Sequence, residues 1–551
     1  MYIYYIRKQI TKEMGKTEKK LSKRKQKAIE RTLANNRSYK LYLYNRFWIY
    51  LLLVLAQIVC GIFLMWLLAY DSAVAFGVQI TVSILAILFV LYLLNKEENS
   101  SSKITWMLLI LVFPVFGVPI YLVYGEGRPT KKIAQKVRVA KAENNRQEQS
   151  ILPKVERYFP DERADSVCEF LETKANYPVY TEGSIDYYKS GEEMFPVMLE
   201  EIKKAEKYIL VEYFIIDSGK MWGSICKLLV EKAMQGVQVR IIYDDFGCMM
   251  TLPPKYDRYL ESLHENIKCM TFNEIVPIFA VRMNNRDHRK LLVIDGKVGF
   301  TGGINLADEY IAELPRFGYW KDTGLRITGG AVNSFIKMFF YMWNAFRQDK
   351  ENLVDYLVPV EGEQPLQSET SLRIQPYDDS PLDKLNVGEN VYADLIARAK
   401  RSICIFTPYL VLDDFLRSSL CQAAMRGVDV RIITPGIPDK KVIYRVTRAN
   451  YATLLKAGVK IYEYTPGFIH AKSMLCDDEC AVVGTINLDY RSLYLHFENA
   501  VYFAGCEAVQ DLKRDCEETI ALSKECSPIY PRRGLIGRFV DSILRLIETL
   551  L

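Results

Sequence analysis

Histidine is sparse. Among 551 residues only His264, His288, His470 and His496 occur, so any imidazole chemistry must draw on these four positions. Cysteine occurs twelve times but without regular spacing. Its nearest pair, Cys476 and Cys480, lacks the second pair that a structural zinc site draws on. Thiols scattered through apolar stretches fit a reducing compartment. No obvious cage of carboxylates is offered to a metal ion, so neither a metal nor another cofactor is expected. A cleavable signal peptide is missing too: the first apolar run starts only at Phe47, and no small-residue cleavage site follows. Positive charge is lacking where a nucleic-acid groove would need it. The net charge is +6, yet residues 1–46 hold fourteen Lys/Arg against three Glu, and residues 125–150 hold seven against three. The rest of the chain is slightly acidic, which argues against a basic stripe on the soluble part.

What is present divides the chain. Half of the residues are hydrophobic and a quarter charged, a balance that fits neither a disordered chain nor a wholly embedded one. After the basic leader come three apolar runs, 47–70, 74–94 and 104–124, each long enough to cross roughly 30 Å of hydrocarbon as a helix. The third holds Pro114, Gly117 and Pro119, and proline interrupts the helical ladder. Both flanks of the cluster are basic, and basic flanks stay cytoplasmic. An even number of crossings follows, so two full spans and a re-entrant or interfacial third segment are predicted. Three full spans, placing the remainder outside the cell, is the competing topology. The basic blocks also suit anionic lipid head groups.

Beyond residue 150 the chain repeats itself. AEKYILVEYFIID and KAMQGVQVRIIYDDFG (205–217 and 232–247) resemble AKRSICIFTPYLV and QAAMRGVDVRIITPG (399–411 and 422–436). Each copy reads as a strand, a helix ending at Gly236 or Gly427, and a second strand, with the glycines suited to helix C-caps. Alternating strands and helices predict α/β units around a central sheet, and a repeat of this length means two homologous domains. The acidic stretch 351–370 is the linker between them. Residues 531–551 place Ile536, Phe539, Val540, Ile543, Ile547 and Leu550 at helical spacing, with Arg538, Asp541, Ser542, Arg545 and Glu548 opposite. That amphipathic helix either lies on a membrane or packs on the domain.

Two histidines sit in matching contexts, HRKLLVIDGKVGFTGGINLADEY and HAKSMLCDDECAVVGTINLDYRS. His288, Lys290, Asp295 and Asn305 recur at the same offsets as His470, Lys472, Asp477 and Asn487. In an extended strand, His-x-Lys places both side chains on one face. Lysine brings a point charge to a phosphate, and asparagine can donate an amide hydrogen bond to a phosphoryl oxygen. Two such half-sites facing one phosphodiester would let one histidine attack phosphorus while the other protonates the leaving alcohol. Lysines and asparagines would stabilise the developing charge. Asp322 in WKDTG and Glu498 in HFENA are candidates to orient the histidines; which serves which stays open. Position alone favours a structural role for Asp295 and Asp477, a salt bridge within the turn after the strand. His264 and His496 have no paired context and read as bland.

The paired H-x-K-x4-D motifs with trailing G-x-x-N resemble the HKD signature of the phospholipase D superfamily, over roughly residues 180–530. The segments NSSSKITWMLLILVFPVFGVPIYLVYG, IDYYKSGEEMFPVMLEEI, VEYFIID, YDDFG, WKDTG, TPYL and FENA are similar to those of bacterial cardiolipin synthases. The resemblance implies a catalytic set of His288, Lys290, Asp295, His470, Lys472 and Asp477, with Lys290, Asn305, Lys472 and Asn487 on the substrate phosphate. It implies an α/β fold: two phospholipase D-like domains, each a mixed sheet flanked by helices, behind an N-terminal helical membrane anchor. The expected order is a cytosolic leader (1–46), membrane region (47–124), basic linker (125–175), first domain (176–350), linker (351–370), second domain (371–530) and C-terminal helix (531–551). The implied activity transfers a phosphatidyl group from one phosphatidylglycerol to another through a phosphatidyl-histidine, giving cardiolipin and glycerol. No nucleic-acid partner is implied; a homodimer is compatible. The implied location is a bacterial cell membrane, multi-pass, with the catalytic part cytoplasmic. A hydrolytic phospholipase D, a nucleic-acid-processing relative and a non-catalytic scaffold are the other readings. The intact motifs speak against the last, and the acidic catalytic part speaks against nucleic acid.

Overall fold

A computed structural model of the chain describes residues 72–96, 99–125, 131–151, 166–274, 284–360, 372–382, 385–527 and 534–546, with a few single positions besides. The basic leader and nearly all of the first apolar run lie outside the described residues. The second run forms helix Ser72–Leu94, whose stretch Phe76–Leu94 is, among the described residues, the one helix long and apolar enough to cross a membrane. It is a candidate anchor. Ile84, Leu85, Leu88 and Leu91 stay at least half exposed, while Ala86 and Leu93 pack on Trp106, Ile110 and Tyr121.

The third run is broken, as its prolines require. Helix Ser100–Val112, capped by the Asn99 side chain, stops at Phe113, and Pro114 opens a second helix to Ile120. A Cβ on Gly117 would lie 2.5 Å from the Ile110 Cα. Residues seven apart in one continuous helix stand roughly 10 Å apart. The two short helices therefore fold back on each other, and only glycine permits the approach. A short π-helical turn, Tyr121–Gly125, follows. Within the stretch expected as a basic linker, the chain forms helices Lys131–Ile151 and Ser166–Thr173. Val137, Ala140, Val167 and Leu171 enter the main core.

Two sheets follow. The first comprises β1 (Ser184–Tyr188), β2 (Tyr208–Tyr213), β3 (Gln238–Asp244), β4 (Ile267–Phe272), β5 (Lys290–Ile294), β6 (Val298–Gly302) and β8 (Gly324–Thr328), in the order β1-β8-β6-β5-β2-β3-β4. β7 (Tyr319–Lys321) stands apart. The second holds β9 (Arg373–Asp379), β10 (Ser402–Phe406), β11 (Asp429–Pro435), β12 (Lys460–Tyr464), β14 (Ser473–Cys476), β15 (Cys480–Gly484), β16 (Glu498–Ala504) and β17 (Ser523–Glu525). Its order is β17-β12-β11-β10-β14-β15-β16-β9. Apart from β17 the two orders match strand for strand, as two homologous mixed-sheet domains should. β2-β3-β4 and β10-β11-β12 are parallel, and β5 and β14 run antiparallel beside β2 and β10. Helices Lys220–Met234 and Asp414–Met425 supply the parallel crossovers, and Gly236 and Gly427 take φ of 97° and 93° just past their ends. Helix Val332–Phe346 packs on β2, β5 and β6 of one sheet and β9 of the other, buried around its whole circumference. One apolar core therefore runs through both domains.

The two motif aspartates close this scaffold rather than the site. Asp295, at φ 53°, accepts from the backbone N–H groups of Glu206, Lys207 and Tyr208 at 2.7–2.8 Å. Asp477, also at φ 53°, does the same for Lys400, Arg401 and Ser402. Each ties the turn after β5 or β14 to the start of the neighbouring central strand. Five residues of extended chain put each roughly 16 Å from its motif lysine. The catalytic grouping implied for Asp295 and Asp477 is thus corrected, and so is the expected salt bridge: the carboxylates bind main-chain donors. We expect Asp295→Ala and Asp477→Ala each to cost about 3 kcal/mol in denaturant unfolding of the solubilised chain, because buried donors lose a charged acceptor. A change below experimental error would show that the turns need no such anchor.

Candidate active site

The histidine of each repeat is delivered to the other domain. Asp287 forms a parallel bridge with Phe497, Phe497 N–H donates to the Arg286 carbonyl, and His288 N–H donates to the Phe497 carbonyl, both at 2.8 Å. The next residue along, Glu498, stands beside the His288 ring, with Nδ1 2.8 Å from Oε2. On the other side β13 (Gly467–Ile469) pairs in parallel with β7, Ile469 opposite Lys321. His470 N–H donates to the Lys321 carbonyl at 2.7 Å, and the following residue, Asp322, meets His470 Nδ1 at 2.7 Å. Each domain thus gives its histidine to one pair and its carboxylate to the other. A carboxylate only accepts, so Nδ1 carries the proton and each Nε2 is left to act.

Buried polar contacts fix the approach segments. Asp244 accepts from Phe246, Gly247 and Asp287 N–H groups and faces Arg286. Arg289 bridges Asp287, Glu212 and the Tyr341 hydroxyl. Lys290 Nζ folds back on the His288 carbonyl at 2.6 Å, and Lys472 does the same at His470, so His and Lys share a face as their spacing predicts. Side-chain exposure is 9% for His288 and 11% for His470, against 0% for their carboxylates, so substrate reaches the imidazoles first.

The repeats differ in a coupled way. A Cβ on Gly303 would fall 2.0 Å from Asp322 Oδ1, so glycine is required where the short aspartate lies against the backbone. At the equivalent place in the second repeat Thr485 is accommodated, because glutamate reaches one methylene further. The Thr485 hydroxyl donates to Glu498 Oε2 at 2.5 Å. The departure of GTIN from GGIN therefore accompanies the change from Asp322 to Glu498. The asparagines also differ. Asn305 is engaged, accepting from Ile215 N–H and donating to the Tyr310 hydroxyl. Asn487 differs: its Oδ1 is buried without a hydrogen-bond partner.

Burial dominates the electrostatics of the site. Burial, strongest of the effects, lowers His288 to about 3 and His470 to about 4; nearby lysines push the same way and the carboxylates oppose. Burial likewise lowers Lys290 to about 7 and Lys472 to about 8, although Glu498 and Asp322 support their charge. Burial works against the charge on Glu498 and Asp322, yet the facing histidines outweigh it and hold both carboxyls below their usual range. Both imidazoles are therefore neutral at pH 7. A bound phosphodiester anion would favour protonation of the lysines and of one histidine.

His264 lies away from the site, its Nδ1 taking the Asn266 N–H. His496, read as bland, is in the site: its ring is 5.7 Å from His288, and its Nδ1 is 3.7 Å from Glu498. Trp320 holds the equivalent place beside His470, at 5.5 Å. Both stand two residues before the orienting carboxylate, a period-two relation that a strand reading of WKDTG and HFENA could have found. Phe214 and Tyr310 set their edges against His288 and His470. His288, His496 and Glu498 form, among the described residues, the one group able to converge on a cation.

Comparison with known proteins bears on the fold and the family. A solved phosphatidylserine synthase from Haemophilus influenzae superposes with a TM-score of 0.55 at 16% identity, covering 72% of this chain and all of that one, which shows the fold. The family model described as "Cardiolipin synthase, PLD-like domain" matches residues 198–314 and 392–520, and "Phospholipase_D-nuclease N-terminal" matches 83–126. The class is thus the phospholipase D-like enzymes. A cardiolipin synthase of Geobacillus sp. is 33% identical, covering 86% of this chain and 93% of its own length. One of Staphylococcus aureus is 31% identical over 88% of this chain and 98% of its own length. An uncharacterised protein of Streptococcus mutans is 42% identical over 84% of this chain and 99% of its own length. The chain belongs to the cardiolipin synthase family, and so to the phosphatidyltransferases of the phospholipase D superfamily.

Gly303→Ala tests the orienting geometry. The added methyl must displace Asp322, so turnover should fall about 100-fold or more without a change in fold, the scale on which a mispositioned histidine costs an enzyme. Thr485→Ser, which keeps the hydroxyl, should stay near the unsubstituted rate. Equal turnover in Gly303→Ala would remove Asp322 from the mechanism.

Proposed function

We propose that the protein synthesises cardiolipin from two phosphatidylglycerol molecules. The observation that carries this is the pair of crossed histidine–carboxylate couples, His288–Glu498 and His470–Asp322, with a buried lysine beside each. His288, kept neutral to the lower pH, acts as nucleophile. Its Nε2 attacks phosphorus of the first phosphatidylglycerol, and the bond to the headgroup glycerol breaks. His470, protonated at Nε2 once the anionic phosphodiester is bound, gives that glycerol oxygen a proton, and glycerol leaves. The terminal hydroxyl of a second phosphatidylglycerol then returns a proton to His470 and attacks phosphorus. The bond to His288 breaks, and cardiolipin is released. Lys290, Lys472 and Asn487 stabilise charge on the phosphoryl oxygens throughout. Asn305, held by structural partners, positions the loop at Ile215.

Transfer rather than hydrolysis requires a lipid hydroxyl where water would otherwise react. Anchoring at the bilayer supports that outcome. The fold-back at Gly117 supports a re-entrant third segment; together with two full spans, that topology would have the catalytic domains and the leader share the cytoplasmic side. The described cysteines are all free thiols, consistent with a reducing compartment.

Purified protein in phosphatidylglycerol vesicles with chelator should give cardiolipin and equimolar glycerol. Phosphatidic acid without cardiolipin would make it a hydrolase. His288→Ala and His470→Ala should each abolish turnover, and substantial residual activity in either would sink the two-histidine scheme. Because Lys290 and Lys472 lose their charge as pH rises through about 7 and about 8, phosphate binding should weaken there. The KM for phosphatidylglycerol should rise between neutral and mildly alkaline pH, while low pH leaves the lysines charged. A KM flat across that window would contradict the lysine assignment.

A further inference from the structure

Helix Leu535–Leu546 is fastened on one side and bare on the other. Arg445 bonds Asp541 at 2.7 Å and the Gly537 carbonyl at 3.2 Å. Leu544 packs into a small cluster with Val411, Val446 and Tyr490. The opposite face carries Leu535, Ile536, Phe539 and Ile543, exposed by 79, 83, 68 and 44%. Their spacing makes one continuous stripe along the helix. Large apolar side chains are not left in water in such a row without a partner.

The surroundings say what covers the stripe. At the helix's carboxyl end the Leu546 carbonyl accepts from the Thr105 hydroxyl at 2.6 Å. Thr105 lies on helix Ser100–Val112, whose Ile104, Leu108 and Leu111 are themselves about half exposed. The apolar hairpin therefore meets the helix three residues beyond Ile543, the last member of the stripe. Tyr490, against which Leu544 packs, bonds the hairpin's cap Asn99 at 3.2 Å and follows Asn487 by three residues. One helix thus links the apolar hairpin to the segment carrying a phosphate-binding candidate. A second copy of the chain fits less well: four side chains on one helix fall short of the roughly 800 Å² per partner that a stable dimer buries.

We propose that helix Leu535–Leu546 is an in-plane lipid-binding element: a phospholipid bilayer occupies the Leu535, Ile536, Phe539 and Ile543 stripe and holds the catalytic mouth at its surface. This rests on the reading of the protein as an enzyme of membrane lipids. The carboxyl half of the helix gains purchase on the domain through Asp541 and Leu544 while the stripe sinks to the acyl boundary, as amphipathic interfacial helices do.

The test uses the full chain in vesicles of phosphatidylglycerol and phosphatidylcholine. With Phe539→Trp, the emission added over the unsubstituted chain should be blue-shifted and quenched by acyl-brominated lipid. A blue-shifted but unquenched emission would mean a protein partner, such as a second copy, and would overturn the proposal, as would an emission at the wavelength of water. The double variant Ile536→Asp/Phe539→Asp alters only exposed positions. Its vesicle turnover should fall about tenfold or more, the scale set by losing two lipid-buried apolar side chains. Its turnover of short-chain phosphatidylglycerol dispersed in detergent should be kept. Loss in both formats, or in neither, overturns the assignment. Failure of the function itself would appear separately, as no cardiolipin from the unsubstituted chain, and would leave the quenching result to be read alone.

Discussion

The candidate site depends on two short backbone pairings across the domain boundary. The 287–497 bridge and the β13–β7 ladder each bring a histidine of one repeat into register with a carboxylate of the other. Neither pair exists within a single domain. Pairing strands in parallel makes the next residues along neighbours too, and those residues are His288 with Glu498 and His470 with Asp322. The shared core around helix Val332–Phe346 keeps the boundary from opening, so the register survives without a covalent tie.

The charges in this interior are balanced rather than merely tolerated. Two lysines, two carboxylates and two neutral imidazoles are nearly neutral together, and burial presses each cation towards losing its proton. An isolated buried lysine is costly. Here the cost is eased by the facing carboxylates. The same low dielectric depresses both histidines and keeps them unprotonated.

Much of this was legible in the chain. The HKD repeats, the matching strand–helix–strand segments and the proline-broken third apolar run are local patterns, and local sterics and periodicity read them directly. His496 was missed although its period-two spacing from Glu498 carried the signal, because it had no counterpart in the other repeat's motif. Thr485 was not legible, since its contact with Glu498 crosses between two strands and leaves no trace in spacing. For Asp295 and Asp477 position already favoured a structural role, while the family resemblance grouped them with the chemistry. A carboxylate in a left-handed turn beside three N–H groups is a main-chain anchor. The amphipathic helix was legible as a helix, while which of its faces would meet the protein was not.

By itself the sequence determined the composition of the site: two histidines, two lysines and candidate acids in duplicate, on a duplicated α/β unit behind apolar segments. Those follow from residue identity and from periods of two and 3.6, which act within a few residues. Tertiary structure alone decided the partnership, sending Glu498 to His288 and Asp322 to His470. It also committed Asn305 to Ile215 and Tyr310, and turned Leu535, Ile536, Phe539 and Ile543 outward. These are long-range matters, settled by how two sheets share one core, and the energy that selects them is spread over contacts hundreds of residues apart.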